Sequence, residues 1–323
     1  MGQGNLISGN GDTAVWIQDI GTMNNSVLGN YIGTDISGTA IVENNQHGVF
    51  IGFGAANNII GGETMGVRNL ISGNGRAGIW IESAGTSGNQ VLGNYIGTDF
   101  SGTGSLANAQ NGVFIGFGAT NTTIGGETAG AVNLISGNGA SGVLIYEVGT
   151  SGNQVLGNFI GTDVFGTGDI PNYNGVQISF GATDNIIGGE SPAARNLISG
   201  NDQTGVWIQN TDTEGNQVLG NYIGTNVTGA GALGNGLEGV MIGFGATNNV
   251  IGGENPEARN LIRGNGNSGT WIQNEGTSAN QIMGNYIGTD LEAQAGSALP
   301  GCGLGRLAQT RHMEVGRKED RPP

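Results

Sequence analysis

Cysteine is almost missing from this 323-residue chain. Cys302 is the only one, so neither a disulfide framework nor a cysteine-rich metal site can be built. Lysine is as scarce, with Lys318 alone, and ten Lys and Arg face 25 Asp and Glu for a formal charge of −15. A surface that acidic repels phosphate backbones and anionic lipid, which disfavours nucleic acid and membrane surfaces as partners. No apolar run approaches the length of a bilayer span, so no membrane insertion is expected, and Met1-Gly2-Gln3-Gly4 is no secretory signal.

What the chain does have is glycine, 67 residues of it, and repetition. The glycine lacks a three-residue period, which excludes collagen, and the regular Val, Ile and Leu content argues against disorder. The stretch Asn5-Leu6-Ile7-Ser8-Gly9-Asn10 returns from Asn69, Asn133, Asn196 and, with Arg263 for the serine, Asn260, in steps of 64, 64, 63 and 64 residues. A period that long is kept only when one structural unit is stacked on copies of itself.

A shorter period lies inside it. An apolar-variable-apolar tripeptide runs Val15-Trp16-Ile17, Val49-Phe50-Ile51, Ile79-Trp80-Ile81 and onward to Thr270-Trp271-Ile272. The pattern Asn-x-apolar-apolar-Gly starts at Asn25, Asn57, Asn89, Asn121, Asn153, Asp184, Asn216, Asn248 and Asn280, 32 residues apart with one step of 31. Each 64-residue unit is therefore two coils, and nine coils are visible. Apolar residues alternate over three to five positions between turns rich in Gly and Asn, which is strand periodicity. The pattern predicts a parallel β-helix in which an Asn at one turn position bonds the Asn of the next coil. At a rise of about 4.8 Å per coil, nine coils make a rod roughly 43 Å long. Two insertions decorate alternate coils, one after Tyr31 to Asp35 and its copies, the other after Ile60 to Glu63 and its copies.

The combination of Gly-Val-x-Ile, Asn-x-Val-Leu-Gly-Asn-Tyr-Ile-Gly-Thr-Asp and Asn-Leu-Ile-Ser-Gly-Asn resembles the right-handed parallel β-helix repeats of large bacterial surface and secreted proteins, within the pectate-lyase-like superfamily. The resemblance covers Asn5 to Asp290. It implies an all-β solenoid of about nine coils over residues 1–290 and an extracellular or cell-surface setting. It does not choose an activity, because this fold carries lyases, hydrolases, epimerases, adhesins and inert repeats. The chain begins inside a repeat, as a piece of something longer would. After Asp290 the pattern stops, and residues 291–323 read as a disordered or foreign tail holding half of the basic residues.

Three candidate sites follow. The middle residues of the tripeptides point away from the core by strand alternation. Trp16, Phe50, Trp80, Phe114, Trp207 and Trp271 thus form a stripe able to stack on sugar rings or bind a partner, unless the inserted loops fold over it. Asp35, Asp99, Asp163 and Asp290 recur every second coil. Each is a weak Ca²⁺ candidate against the alternative of an Asx-type turn. Catalytic residues are not assigned. The lyases that share the resemblance use a carboxylate cluster with Ca²⁺ and a basic residue, whereas the arginines of the repeats (Arg68, Arg76, Arg195, Arg259, Arg263) fall outside the strand motif. Of the hydrolase signature, Asn210-Thr211-Asp212 matches one piece, with neither the aspartate pair nor the histidine motif. His47 reads as a surface loop residue. Gly52-Phe53-Gly54-Ala55 lacks the third glycine and the helix of a dinucleotide loop. The expected function is a non-catalytic structural or adhesive module without a required cofactor. Its partners would be a polysaccharide or a cell-surface protein, with end-to-end self-association. The alternative is a polysaccharide lyase or glycoside hydrolase.

Overall fold

The computed structural model describes residues 4–289. Asp290 and the 291–323 segment lie outside the described residues. Three strands make one coil: Leu6–Ile7, Val15–Gln18 and Ser26–Val27 in the first. Each pairs in parallel with its equivalent one coil on, giving a ten-stranded first sheet and nine-stranded second and third sheets. The described residues form a right-handed parallel β-helix of nine coils, with a last short strand at Tyr286–Ile287.

Strand alternation sends two side chains per coil inward from the second sheet and one from each of the others. Val49 and Ile51, Ile79 and Ile81, and Val113 and Ile115 are fully buried, together with Ile32, Ile71 and Ile96 of the first sheet and Ile60, Val91 and Ile124 of the third. The column is nearly all Val and Ile because a β-branched side chain has one preferred rotamer on a pleated surface and stacks on its copy. Each such burial is worth about 1.5–3 kcal/mol.

Three corner positions, not one, carry asparagine ladders. The first runs Asn5, Asn30, Asn69, Asn94, Asn133, Asn158 and on to Asn285. In each rung the backbone N–H and the side-chain Nδ2 both donate to the Oδ1 of the next coil, at 2.9 and 3.0 Å from Asn30 to Asn69. The remaining Nδ2 hydrogen reaches a carbonyl of the preceding coil, as from Asn69 to Val27 at 2.8 Å. Parallel ladders run through Asn44, Asn74 and Asn108 and through Asn58 and Asn89. Corner amides that would be costly if buried unpaired are thereby satisfied.

Measured along the first ladder, the coils alternate between 25 residues (Asn69 to Asn94) and 39 (Asn94 to Asn133). Both insertions therefore fall in the same coil, and the unit is a short coil followed by a long one. Loops of successive long coils bond each other across the short coil between them. Phe100 N–H donates to Gly38 O and Val164 N–H to Gly102 O, both at 2.9 Å.

The strand register also corrects the sequence marker. Ser26 faces Ile59 and Val27 faces Ile60, so Asn25 bonds Asn58, not Asn57. Asn57, Asn121, Asp184 and Asn248 instead stand one residue earlier in left-handed backbone, with φ of 52–55°.

Candidate functional site

The second sheet presents its outer face through two positions per strand. The first holds the predicted stripe. Phe50 and Phe114, both on long coils, are buried, whereas Trp80 and Trp207 on short coils are half-buried and Trp16 and Trp271 at the two ends are exposed. The rings cover one another, and the loop residue His47 lies against Trp80. Trp80 stacks on Phe114 with centroids 3.7 Å apart, and Trp16 lies 4.2 Å from Phe50. The second outward position makes room for this. Three of the four long coils place glycine there and the sixth coil places Ser179. A Cβ at Gly52 or Gly116 would strike the Phe50 or Phe114 ring at 2.6 or 2.5 Å. Short coils place Gln18, Glu82, Tyr146 and Gln209 there, and Glu82 accepts the Trp80 indole N–H at 2.8 Å.

Beside the stripe runs a second column of rings, at positions outside the strand tripeptides. Phe53, Phe117, Phe180 and Phe244 follow the strands of the four long coils and are 43–49% exposed. All four have left-handed backbone, φ 53–57°, and each is followed by a glycine that also has positive φ. Ala55 N–H donates to Gly52 O at 3.2 Å, closing the turn. Two positive φ angles in a row define a type I′ turn, whose preferred sequence is Asn-Gly. Phe-Gly takes that place in the segment that looked like a dinucleotide loop. A bulky L-residue in this conformation costs about 1–2 kcal/mol. The signal for these residues was a Phe standing where the short coils carry Asp19, Ser83, Glu147, Asn210 and Asn274. The new rings join the stripe: Phe117 lies 5.8 Å from Tyr146, Tyr146 5.0 Å from Phe180, and Trp207 6.4 Å from Phe244.

Acid–base groups converge at one cleft of about 350 Å³ lined by Asp12, Trp16, His47, Phe50, Arg76, Trp80 and Glu82. His47 is not a surface residue. It is buried against Trp80, with ring centroids 4.7 Å apart, and its Nδ1 accepts the Ala77 backbone N–H at 3.3 Å. Asn111 and Asn174 do the same for Ser141 and Thr204 in the following long coils, so His47 fills an asparagine's structural position. Burial first, and the Arg76 charge second, hold its pKa down to about 4 against the opposing pull of Asp12.

The aspartate series closes its own loops. Asp35 accepts the Ser37 hydroxyl at 2.6 Å and the N–H groups of Thr39 and Ala40, and these bonds, the hydroxyl first, hold its pKa down to about 2. Asp99 accepts from Ser101 and Thr103, and Asp163 from Phe165 and Thr167. Asn226, where the series changes residue, accepts from Thr228 and Gly231 in the same way. Among the described residues no three His, Cys, Asp or Glu side chains are grouped to hold a metal ion. Arg68 and Arg195 lie over the rings of Tyr95 and Tyr222 at 4.0 and 4.2 Å and donate to the carbonyls of Gly93 and Gly220. Those guanidinium groups are structural.

No protein-family model and no curated protein matches the chain by sequence. Solved structures match it by shape. The periplasmic alginate epimerase AlgG superposes with a TM-score of 0.54 at 14% identity over 80% of this chain. The A-module of Azotobacter vinelandii mannuronan C-5 epimerase AlgE4 superposes with a TM-score of 0.52 at 15% identity over 87% of it. The shared fold is the parallel β-helix. The chain spans half the length of the AlgG structure and 75% of the AlgE4 module. At such identities the likeness carries the fold and assigns no residue a role.

Proposed function

We propose that this chain is a non-catalytic polysaccharide-binding module of an extracellular or periplasmic protein. The observation that carries it is the aromatic face of the second sheet, repeated coil after coil, whose flat rings complement the C–H faces of sugars. Weak contacts repeated along one rod add through multivalency. The names of the proteins that share the fold, alginate epimerase and mannuronan epimerase, support a polysaccharide as the ligand class.

The non-catalytic part rests on His47. It stands in the one described cleft where a histidine, an arginine and carboxylates meet, yet its Nδ1 is spent on Ala77, and a base with a pKa near 4 is weak at neutral pH. Binding on this reading needs no Ca²⁺, because the recurring aspartates are engaged by their own loops. The test combines sedimentation with insoluble polysaccharides and assays for bond cleavage and epimerisation on pectin, alginate and hyaluronan, with Ca²⁺ and with EDTA. Binding without turnover, unchanged by EDTA, is expected. Turnover lost in a His47→Ala variant of unchanged melting temperature would establish the lyase or hydrolase alternative.

A further inference from the structure

The polysaccharide reading leaves open which sugars are bound and where, and three features of coils five to eight narrow both. The first is the ring set Tyr146, Phe180, Trp207 and Phe244. Phe180 and Phe244 hold positive φ in turns where polar residues stand in the neighbouring short coils, and both rings face solvent. Strain of this kind persists only where the surrounding structure imposes it, and it collects at ligand sites.

The second is a group of polar atoms with no hydrogen-bond partner: the Ser179 hydroxyl, the Trp207 indole N–H and the Asn210 side-chain oxygen. Ser179 is completely buried. The three sit together by register, since Ser179 faces Gln209, Asn210 follows it, and Trp207 shares that strand. Coil three satisfies the same indole N–H with Glu82, whereas coil seven offers Gln209, which does not take it. All three atoms are buried, and buried polar groups without partners are costly. Hydroxyl groups of a ligand seated between the exposed rings of Phe180 and Phe244 would supply the missing bonds.

The third is charge. A chain of net charge −15, with Arg68 and Arg195 committed to tyrosine rings and backbone carbonyls, has little to offer a carboxylate-bearing polymer. Like charge at short range also opposes binding at low salt.

We infer that the outer face of coils five to eight is a binding site for a neutral glycan. Its rings stack on Phe180 and Phe244, and its hydroxyls take up Trp207 Nε1, Asn210 Oδ1 and Ser179 Oγ after small side-chain rotations. This rests on the polysaccharide reading and sharpens it, separating the chain from any role on uronate polymers such as those named for its fold neighbours.

The experiment uses the full chain and two probe sets, neutral hexaoses (cello-, laminari- and mannohexaose) and hexamannuronate, followed by calorimetry and by the fluorescence of the tryptophans. At least one neutral hexaose should bind, with affinity independent of salt, and hexamannuronate should not bind at low salt. The double variant Phe180→Asn, Phe244→Asn should lose about tenfold or more in affinity at an unchanged or raised melting temperature, because Asn-Gly suits the turn better than Phe-Gly. Trp207→Phe, which keeps the ring and removes the N–H, should lose a few-fold. Neutral binding undiminished in the double variant, or hexamannuronate bound more tightly than every neutral probe, overturns the inference and leaves the polysaccharide reading standing. No binding to either set, nor to the insoluble polysaccharides above, overturns both.

Discussion

The short and long coils share a core and differ on the surface. In both, the inward Val and Ile columns and the three corner ladders are the same, so the solenoid does not distinguish a 25-residue coil from a 39-residue one. Outside, four of the five short coils put Trp beside a polar partner, the fifth coil placing Leu144 beside Tyr146, and the short coils turn on Asp, Ser, Glu or Asn. Three of the four long coils bury a Phe or Met against glycine, the sixth coil holding Gln177 and Ser179 there, and all four turn on an exposed, strained Phe. A repeat duplicated only to lengthen a rod has no need of two kinds of surface. The alternation concentrates unusual chemistry on every second coil, while the stacking itself is carried equally by all.

If the ladders are indifferent to coil type, breaking one should cost the same in either. Asn133 opens a short coil and Asn158 a long one, and each accepts from the preceding rung while donating to the next. Replacing either by Ala leaves donors of the preceding asparagine without their acceptor and removes a side-chain bond to a backbone carbonyl (Val91 or Ile124). A loss of about 2–4 kcal/mol in chemical denaturation is expected for each. A difference above about 1 kcal/mol between them would mean that the inserted loops bear on the core after all.

The first long coil carries His47 where the next two carry Asn111 and Asn174 and the last carries Glu238, and pH exposes that difference. The folded protein resists protonating His47 down to about pH 4, whereas the unfolded chain takes the proton near 6.5. Its folded pKa is depressed, so the neutral form favours folding. Stability is full above pH 6.5 and falls as pH drops toward 4, by about 1–3 kcal/mol. Arg76 and Asp12 face this ring with opposite effects, and Trp80 lies against it. His47→Asn, matching Asn111 and Asn174, should flatten melting temperature against pH over this window. An unchanged slope would place the titrating group elsewhere.

The third ladder has one gap, in a long coil. Thr122 stands between Asn89 and Asn153; its N–H reaches Asn153 Oδ1 but its hydroxyl is buried without a partner. Thr122→Asn supplies the acceptor that Asn89 lacks and should stabilise by about 1–2 kcal/mol, read from the denaturation midpoint.

The architecture was legible in the sequence because a 64-residue period, an apolar-x-apolar strand and an asparagine turn have one joint solution. The finer placement was not. Asn57-Asn58 offers two candidates for the ladder and the repeat pattern does not choose between them; Asn58 takes the rung and Asn57 the left-handed position before it. His47 looked exposed because it adjoins a loop, and nothing local says that the same position holds Asn111 and Asn174 under the next coils. Phe53 and its copies were hidden by the glycines around them, which read as a loop of no particular chemistry. The stripe residues alternate with the buried Val and Ile, but alternation along a strand does not say that Phe50 and Phe114 are covered by their neighbours' rings.

The smallest effect tests the comparison most finely. At the left-handed position before the third sheet, the long coils carry Asn57, Asn121, Asp184 and Asn248, while the inner short coils carry Gly88, Gly152 and Gly215. The division has a steric cause. A Cβ at Gly88 would lie 2.4 Å from Asn57 Oδ1, and those at Gly152 and Gly215 equally close to Asn121 and Asp184. The polar side chain of each long coil thus covers the glycine of the short coil after it. Ala279 breaks the rule, with φ of 57°. Asn248, its long-coil neighbour, is turned toward Glu214, to which its Nδ2 donates at 3.2 Å. Ala279→Gly should therefore stabilise by about 0.5–1 kcal/mol, because it removes left-handed strain and costs no contact. Gly88→Ala should destabilise by more than that, since it adds the same strain and the clash with Asn57 as well. Equal and opposite effects would reduce the alternation to backbone preference alone. A larger cost at Gly88 would show that the long coils dictate what the short coils carry.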